Sequence, residues 1–493
     1  MKRLGPVIKK VEQFIRGGEI QRALGLLRQI DVDAVAPRFC SPVANLMRRC
    51  GLFPDAMKLA QRGMRSAREG DEIHTACLAE YCTMLVRLGS VEEAGRRLAP
   101  LTKSMEPSAL IARFWYHFTR FEYRESIPLL EQWIGSLSDP YLLMIAENNL
   151  AEAYFGVGKY GKSREVVSRT IRKCEASGYL RLLANGLHIR ARCSSEMGDL
   201  DKSDEDLKRA LTVLKSTGTA DASIIRRQIA VNEAFATKSL DPINKFRESA
   251  LRDGLWETLR ELDFQSLRIQ FRADVLNKLY FGTPYPAYRE RIRRALPEAK
   301  IESEYIWGPR RGSVLDLGTG TLSGALALRA KPTRLNLLTL KALLQDSYRP
   351  LGTREIYAAL FENEDFDAAR SDDRIHQCIA RLRRWLTRAG LPLRVDLQDS
   401  SYVLSHEGRP SLGIRVPASL PAALRPREAS SFVATLREHF SDTFTASDVR
   451  TKLALSSATT IRRLTAAVEA GHLTREGTGK STRYSFTTWS SSQ

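Results

Sequence analysis

Cysteine, histidine and acidic residues are all in short supply in this sequence of 493 residues. The seven cysteines stand at 40, 50, 77, 82, 174, 193 and 378, no two of them as C-x-x-C. That spacing excludes both a zinc-ribbon set and a disulfide framework. The seven histidines fall beside no nucleophile and at no metal-ligand spacing, so no catalytic residue, metal or cofactor is expected and the chain reads as a non-enzyme. No stretch approaches the ~20 apolar residues needed to span a bilayer. The basic start Met1-Lys2-Arg3 is followed by no apolar core, so a secretory leader is not expected either. Reduced thiols and the missing leader together predict a cytoplasmic protein without membrane contact.

What is present is ordinary globular composition, 43% hydrophobic and 27% charged, which excludes disorder and collagen-like repeats. The length allows about three domains. Lys+Arg outnumber Asp+Glu by 76 to 57, a net charge of +19. Such a balance implies an anionic partner, nucleic acid first. The excess is spread out, however. Residues 331–493 hold 24 basic against 17 acidic side chains, a net of +7, and the other +12 lies in 1–330. Local motifs must therefore decide.

The first half carries a repeat. Gly18, Gly51, Gly89, Gly158 and Gly198 are spaced by 33, 38, 69 and 40 residues, the 69 being two periods with a degenerate repeat near Phe121. Seven residues before the last four glycines stand Ala44, Cys82, Ala151 and Ala191, and five after them Ala56, Ala94, Ser163 and Ser203. Two antiparallel helices that approach closely need one small residue each, and a left-handed glycine ends the first helix. The clearest unit is Leu150-Ala151…Tyr154…Gly158-Lys159-Tyr160…Ser163. Over residues 10–235 this resembles the tetratricopeptide (TPR) repeat, with a variable period and without the usual terminal proline. An unrelated α-solenoid is the alternative. Either implies stacked helix pairs with a concave face that takes a protein or peptide. Residues 241–305 keep the helical pattern through Trp256, Leu259, Leu262, Phe264, Leu267, Phe271 and Val275, broken at Gly282-Thr283-Pro284-Tyr285-Pro286, and read as a helical cap.

Val314-Leu315-Asp316-Leu317-Gly318-Thr319-Gly320-Thr321 resembles motif I of S-adenosylmethionine-dependent methyltransferases. That fold requires a following helix and a second strand ending in an acidic ribose ligand. Lys331-Pro332-Thr333-Arg334 stands there instead, so two short strands joined by a Gly-Thr-Gly turn are expected.

Two further segments follow. In residues 310–405, Thr339 is the expected N-cap of a short helix, Thr353 or Gly352 caps a second, and a third runs from Asp372 past Leu386. Ile375, Ile379, Leu382 and Leu386 lie on one face of that third helix. Arg374, Gln377, Arg381, Arg384 and Arg388 lie on another, with no acid between 374 and 388. Leu393–Leu397 and Ser401–Leu404 form a hairpin across Gln398-Asp399-Ser400. This resembles the OmpR/PhoB-type winged helix of bacterial transcription regulators. Ile379-Ala380-Arg381-Leu382-Arg383-Arg384 matches its recognition-helix pattern and Tyr402 its wing tyrosine, while Ser400-Ser401 replaces the wing glycines. Residues 406–427, with Pro410, Pro417, Pro421 and Pro426, read as a linker. In 428–493, Thr445 and Asp448 form a capping box, Ser456 caps a third helix with Ile461, Leu464 and Val468 as its core stripe, and Gly477-Thr478-Gly479-Lys480 turns between two strands. This resembles the winged helices of many prokaryotic repressors, with 8 basic and 6 acidic side chains.

The expectation is a mainly α chain: a TPR-like α-solenoid in residues 1–240, a cap over 241–305 and two winged helix-turn-helix domains. Double-stranded DNA would be read by Arg374, Gln377, Arg381, Arg384 and Arg388, and by Ser457, Thr459, Thr460, Arg463, Lys480 and Arg483, with the repeats binding a protein or peptide. With no phosphoacceptor receiver domain ahead of the OmpR-like region, input would come through the repeats. The alternatives are an interaction scaffold whose winged helices bind protein and, remotely, the methyltransferase. Operator, sign of regulation and oligomeric state are not legible.

Overall fold

The computed structural model describes residues 4–216, 222–302, 304–361, 364–367, 370–408, 411–417, 429–440, 443–469, 473–477 and 482–486. Two compact units divide the chain: Met1–Leu360 with Asp365–Ala418, and Phe361–Glu364 with Ser419–Gln493. No helix among the described residues is long and apolar enough to cross a membrane.

The first unit opens with seven helix hairpins. They are α1 (Leu4–Arg16) with α2 (Ile20–Leu27), α3 (Pro37–Arg49) with α4 (Phe53–Ser66), α5 (Glu72–Arg87) with α6 (Val91–Leu98), and α7 (Pro107–Thr119) with α8 (Tyr123–Ser136). Then come α9 (Pro140–Gly156) with α10 (Tyr160–Ser177), α11 (Leu180–Glu196) with α12 (Leu200–Ser216), and α13 (Ser223–Thr237) with α14 (Asp241–Arg252). Each pair turns at a left-handed residue: Gly18, Gly51, Gly89, Phe121, Gly158, Gly198 and Lys238. The long interval between Gly89 and Gly158 thus holds one complete repeat that turns at Phe121, with φ 62°. A phenylalanine there works against its own Cβ by about 1–2 kcal/mol. Its ring is held 5.2 Å from Tyr285 and 4.9 Å from Tyr288.

The same two positions are closed in every hairpin. Seven residues before the turn stand Val11, Ala44, Cys82, Phe114, Ala151, Ala191 and Val231. Five after it stand Ala23, Ala56, Ala94, Ser126, Ser163, Ser203 and Ile243. None is more than 2% exposed. Ser163 also donates its hydroxyl to the Ala151 carbonyl at 2.7 Å, so its polar group is satisfied at the contact. First helices touch first helices along the stack, α1 on α3, α3 on α5, α5 on α7, α9 on α11 and α11 on α13. The chain therefore has a TPR-like, mainly helical repeat architecture. Helices α15 (Trp256–Ile269), α16 (Ala273–Phe281) and α17 (Pro286–Ala295) close it over a core of Leu259, Phe264, Leu276, Leu279, Tyr288 and Ile292.

A four-stranded sheet comes next, ordered β1-β7-β2-β3, from β1 (Tyr305–Trp307), β2 (Ser313–Asp316), β3 (Leu322–Ser323) and β7 (Leu412–Val416). The methyltransferase-like segment is the β2–β3 antiparallel hairpin, Val314 facing Ser323. No helix follows β2, and the Asp316 carboxylate is occupied by the backbone N–H groups of Gly318 (2.7 Å) and Thr319 (3.1 Å). Strand β7 corrects the reading of 406–427 as linker. Leu412 and Ile414 are fully buried, and the strand lies between β1 and β2. The strand has five residues, too few to show a pattern. Residues 409–410 and 418–427 of that segment lie outside the described residues.

Between β3 and β7 sit α18 (Arg334–Leu344), β4 (Leu351–Gly352), α19 (Thr353–Leu360), α20 (Ser371–Ala389), β5 (Leu393–Gln398) and β6 (Ser401–His406), with strand order β4-β6-β5. The N-cap of α18 is Thr333, not Thr339. Thr333 accepts from the Asn336 N–H at 3.2 Å, whereas Thr339 is buried mid-helix and donates to the Leu335 carbonyl. The β5–β6 hairpin turns through Asp399 and Ser400, at φ 45° and 63°, the two-residue turn with both centres left-handed that suits twisted strands. Glycine is thus dispensed with there.

The second unit repeats that order. It contains α21 (Ala429–His439), β8 (Phe444–Thr445), α22 (Ala446–Leu453), α23 (Ser457–Glu469), β9 (Leu473–Glu476) and β10 (Arg483–Phe486), with strands ordered β8-β10-β9. The Thr445–Asp448 capping box is formed in both directions, and Ser456 accepts from the Thr459 N–H at 3.2 Å. Here Leu464 and Val468 of the expected stripe join the core, but Ile461 does not and Thr460 takes its place. Thr460 is 1% exposed and Leu464 fully buried, while Ile461 is 52% exposed.

Replacing Ala151 with leucine should overpack the α9–α10 contact and lower stability by about 1–3 kcal/mol. The same change at Ala176, exposed on α10, should stay within about 0.5 kcal/mol. Urea unfolding of the full chain followed by circular dichroism checks the pair; equal midpoints would refute the close-contact role.

Candidate nucleic-acid interface

Helix α20 is amphipathic with a fully committed inner face. Ile375, Ile379, Leu382 and Leu386 are at most 1% exposed. Trp385 joins them and donates its indole N–H to the Ala330 carbonyl at 3.0 Å. This bond ties α20 to the segment that leads into α18.

The outward residues divide into free and engaged. Gln377, Arg381, Arg384 and Arg388 are exposed. Arg381 and Arg388 have no hydrogen bond or ion pair among the described residues, and Arg384 makes one long bond, 3.4 Å, to its own helix at Ala380. Arg374 is set apart from this face. It donates to the Tyr357 hydroxyl at 2.9 Å with its guanidinium 5.3 Å from that ring. Arg383 is likewise spent, donating twice to the Val395 carbonyl at 3.0 and 2.7 Å. The free arginines open onto a groove of about 540 Å³, whose other wall brings Lys331, Thr333 and Asn336. Among the described residues no acidic side chain lines it. Helical periodicity shows the arginines but not Lys331, which arrives through the Trp385–Ala330 tie.

In the second unit the expected set holds only in part. Ser457 is exposed and Thr459 is half-buried against Ser456. Thr460 is inside, its hydroxyl bonded to the Ser456 carbonyl at 3.0 Å, because α23 turns it inward in place of Ile461. Arg463 is half-buried, its guanidinium 5.5 Å from the Phe432 ring. Arg483 is exposed on β10, opposite Glu476. Lys480 lies outside the described residues.

The orientation of α20 is fixed from the helical stack. Arg260 of α15 and Asp346, just after α18, form an ion pair at 2.6 Å with both side chains 1% exposed. Burial alone would lower the arginine's pKa; the charges of Asp346 and Glu257 outweigh it and hold the pKa above its usual value. Asp346 also takes the Tyr348 N–H at 3.0 Å and the Arg349 guanidinium at 3.1 Å. The Tyr348 hydroxyl donates to Asp263 of α15 at 2.6 Å. Tyr348 belongs to the α15–α17 core, and burial followed by the Asp263 charge pushes its phenol well up. At Gly282 the loop comes so near that an added Cβ would stand 1.7 Å from the Ser347 hydroxyl. Farther along, Asp365 pairs with Arg96 (2.8 Å) and Arg97 (2.9 Å) of α6, and buried Glu93 accepts from the Phe366 N–H at 3.2 Å.

No protein-family model matches the sequence, and no curated protein does. Among solved structures, a Rap protein complexed with competence and sporulation factor is 12% identical over 60% of this chain and 93% of its own, with a TM-score of 0.40. A STAND protein with a tetratricopeptide repeat sensor, from Pyrococcus horikoshii, is 17% identical over 60% of this chain and 48% of its own, at 0.39. Aspartyl phosphate phosphatase F from Bacillus subtilis is 12% identical over 59% and 91%, at 0.33. At such scores these likenesses carry nothing beyond the repeat architecture already visible in the chain's own hairpins.

Removing one partner of the buried pair, by Asp346→Asn, should cost about 3–5 kcal/mol because Arg260 is left uncompensated. Replacing both, as Arg260→Met with Asp346→Leu, should recover most of that loss. Chemical unfolding of the three proteins decides; a harmless D346N would remove the pair from the account.

Proposed function

We propose that the chain is a cytoplasmic, DNA-binding transcription regulator without catalytic activity, in which the repeats receive a protein or peptide signal and two winged helices address double-stranded DNA. The observation that carries this reading is the recurrence of one element order, helix–strand–helix–helix–strand–strand, with one strand order, in both units. Helix α20, the third helix of that order, keeps Gln377, Arg381, Arg384 and Arg388 exposed on its outer face. A helix of this kind fits the major groove, with guanidinium forks on guanine edges or phosphates and the hairpin beside the backbone. The Lys331 groove supplies a phosphate-facing cation next to it.

A second reading is favoured for the C-terminal unit by one observation. Ile461 is exposed in the middle of α23 while Thr460 and Arg463 are occupied. An outward isoleucine suits a protein contact better than a phosphate backbone, so this unit is assigned to DNA or to a protein partner by the same experiment.

The full chain should bind an enriched genomic fragment with an affinity that falls steeply with salt. Arg381→Ala with Arg384→Ala should weaken binding by about 1–3 kcal/mol per lost base contact, or flatten the salt dependence if the side chains meet phosphate. Fluorescence anisotropy across a salt series reads both; unchanged curves would sink the assignment of α20. Ile461→Asp in the same assay separates the two roles of the second unit, since loss of DNA affinity there would argue against the protein contact.

A further inference from the structure

A cavity of about 1310 Å³ opens between α1, α3 and α5 on one wall and the beginnings of α9 and α11 on the other. Small-molecule pockets usually hold ~300–1,000 Å³, so this one has room for a length of chain. Among the described residues five arginines line it, Arg16, Arg48, Arg49, Arg87 and Arg181, and no Asp or Glu does. Three are neutralised from behind. Arg16 pairs with Asp139 at 2.6 Å and Glu12 at 2.8 Å, Arg49 with Glu12 at 2.5 Å, and Arg48 with Glu80.

Arg87 and Arg181 differ. Both are exposed, and neither has a hydrogen bond or ion pair among the described residues. Arg87 lies 4.2 Å above the Trp115 ring, with Arg48 beside it in the same lining. The remaining lining is largely apolar and aromatic, including Ile20, Phe53 and Ile145, with Tyr141 and Tyr179 set edge to face at 4.8 Å. The Arg16–Asp139 bridge closes the wall between α1 and α9.

We propose that this cavity binds an acidic, amphipathic peptide segment, with carboxylates on Arg87 and Arg181 and apolar side chains against Tyr141, Tyr179 and Ile145. Guanidinium forks donate to carboxylate or phosphate oxygens alike. The aliphatic share of the lining decides between them, because it buries peptide side chains and offers nothing to a sugar–phosphate strand. The proposal deepens the peptide-receiving half of the function above and is independent of its DNA half.

A phage-displayed library of random twelve-residue peptides, selected at low salt on the full-length protein, is the test. Selected peptides should be enriched in Asp and Glu alternating with apolar residues. The affinity of a synthetic winner should fall by about tenfold or more for Arg87→Glu with Arg181→Glu, since like charges then meet. It should fall less for the milder Arg87→Gln with Arg181→Gln. Arg172→Glu, exposed on α10, should leave it unchanged, with thermal midpoints confirming that all variants fold. Winners without acidic enrichment, or equal binding by the charge-reversed protein, would overturn the proposal. So would displacement of the winner by oligothymidine, which would reassign the cavity to nucleic acid. DNA affinity measured on the same preparations keeps the two halves apart: its absence leaves the peptide result standing, and its retention by the charge-reversed protein shows that only the cavity was altered.

Discussion

The buried contact between Arg260 and Asp346 is what makes the helical stack and the first three-helix unit one body. A pair this deep is a poor source of net stability, since desolvation cancels much of the attraction. Its value lies in direction. The guanidinium admits few geometries, and Asp346 is at once the partner of Arg260, of Arg349 and of the Tyr348 backbone. Tyr348 then answers to Asp263 one turn further along α15. Apolar packing alone would permit sliding between α15 and the α18 loop; this set of bonds fixes one register. The α6 contacts at Asp365 and Phe366 add a second, distant point of attachment. Two separated attachments define an orientation where one would leave a pivot.

Within the stack, stability is distributed rather than concentrated. Each hairpin closes on its own pair of inner positions and then on its neighbour, the near-neighbour energetics expected of repeats. Much of this was legible from the residues, because close helix approach demands small side chains and a left-handed turn favours glycine. Legibility failed where other contacts relaxed those demands. Phe121 and Lys238 occupy left-handed turns that no glycine marks, and Phe114 fills a position that holds alanine, cysteine or valine in the other hairpins. In the fourth repeat the aromatic layer from α17 replaces the usual signature.

The exposed basic face of α20 was readable from its period, and Gln377, Arg381, Arg384 and Arg388 lie together as that period implies. Arg374 departs because Tyr357, on another helix, captures it. On α23 the short polar run Ser456-Ser457-Ala458-Thr459-Thr460 carries no hydrophobic phase, so the burial of Thr460 in place of Ile461 could not be read before the helix was built. The long-range pairs, Arg260 with Asp346 and Arg97 with Asp365, join residues 86 and 268 positions apart. No local pattern records such partners.

Strand β7 has a topological consequence. The chain passes through β1, β2 and β3, makes the whole of α18 to β6, and returns to slot between β1 and β2, parallel to β2 and antiparallel to β1. The three-helix unit is therefore an inserted loop of the polypeptide, buttoned shut at its base by five residues that arrive last. Anything that pulls on the chain beyond Val416 pulls first on the centre of that sheet rather than on its edge. Cutting the polypeptide just after the β5–β6 hairpin would remove the button, leaving β1 without a partner and β2 paired with β3 alone, with Leu412 and Ile414 missing from between them. The exit of this unit is thus part of its foundation.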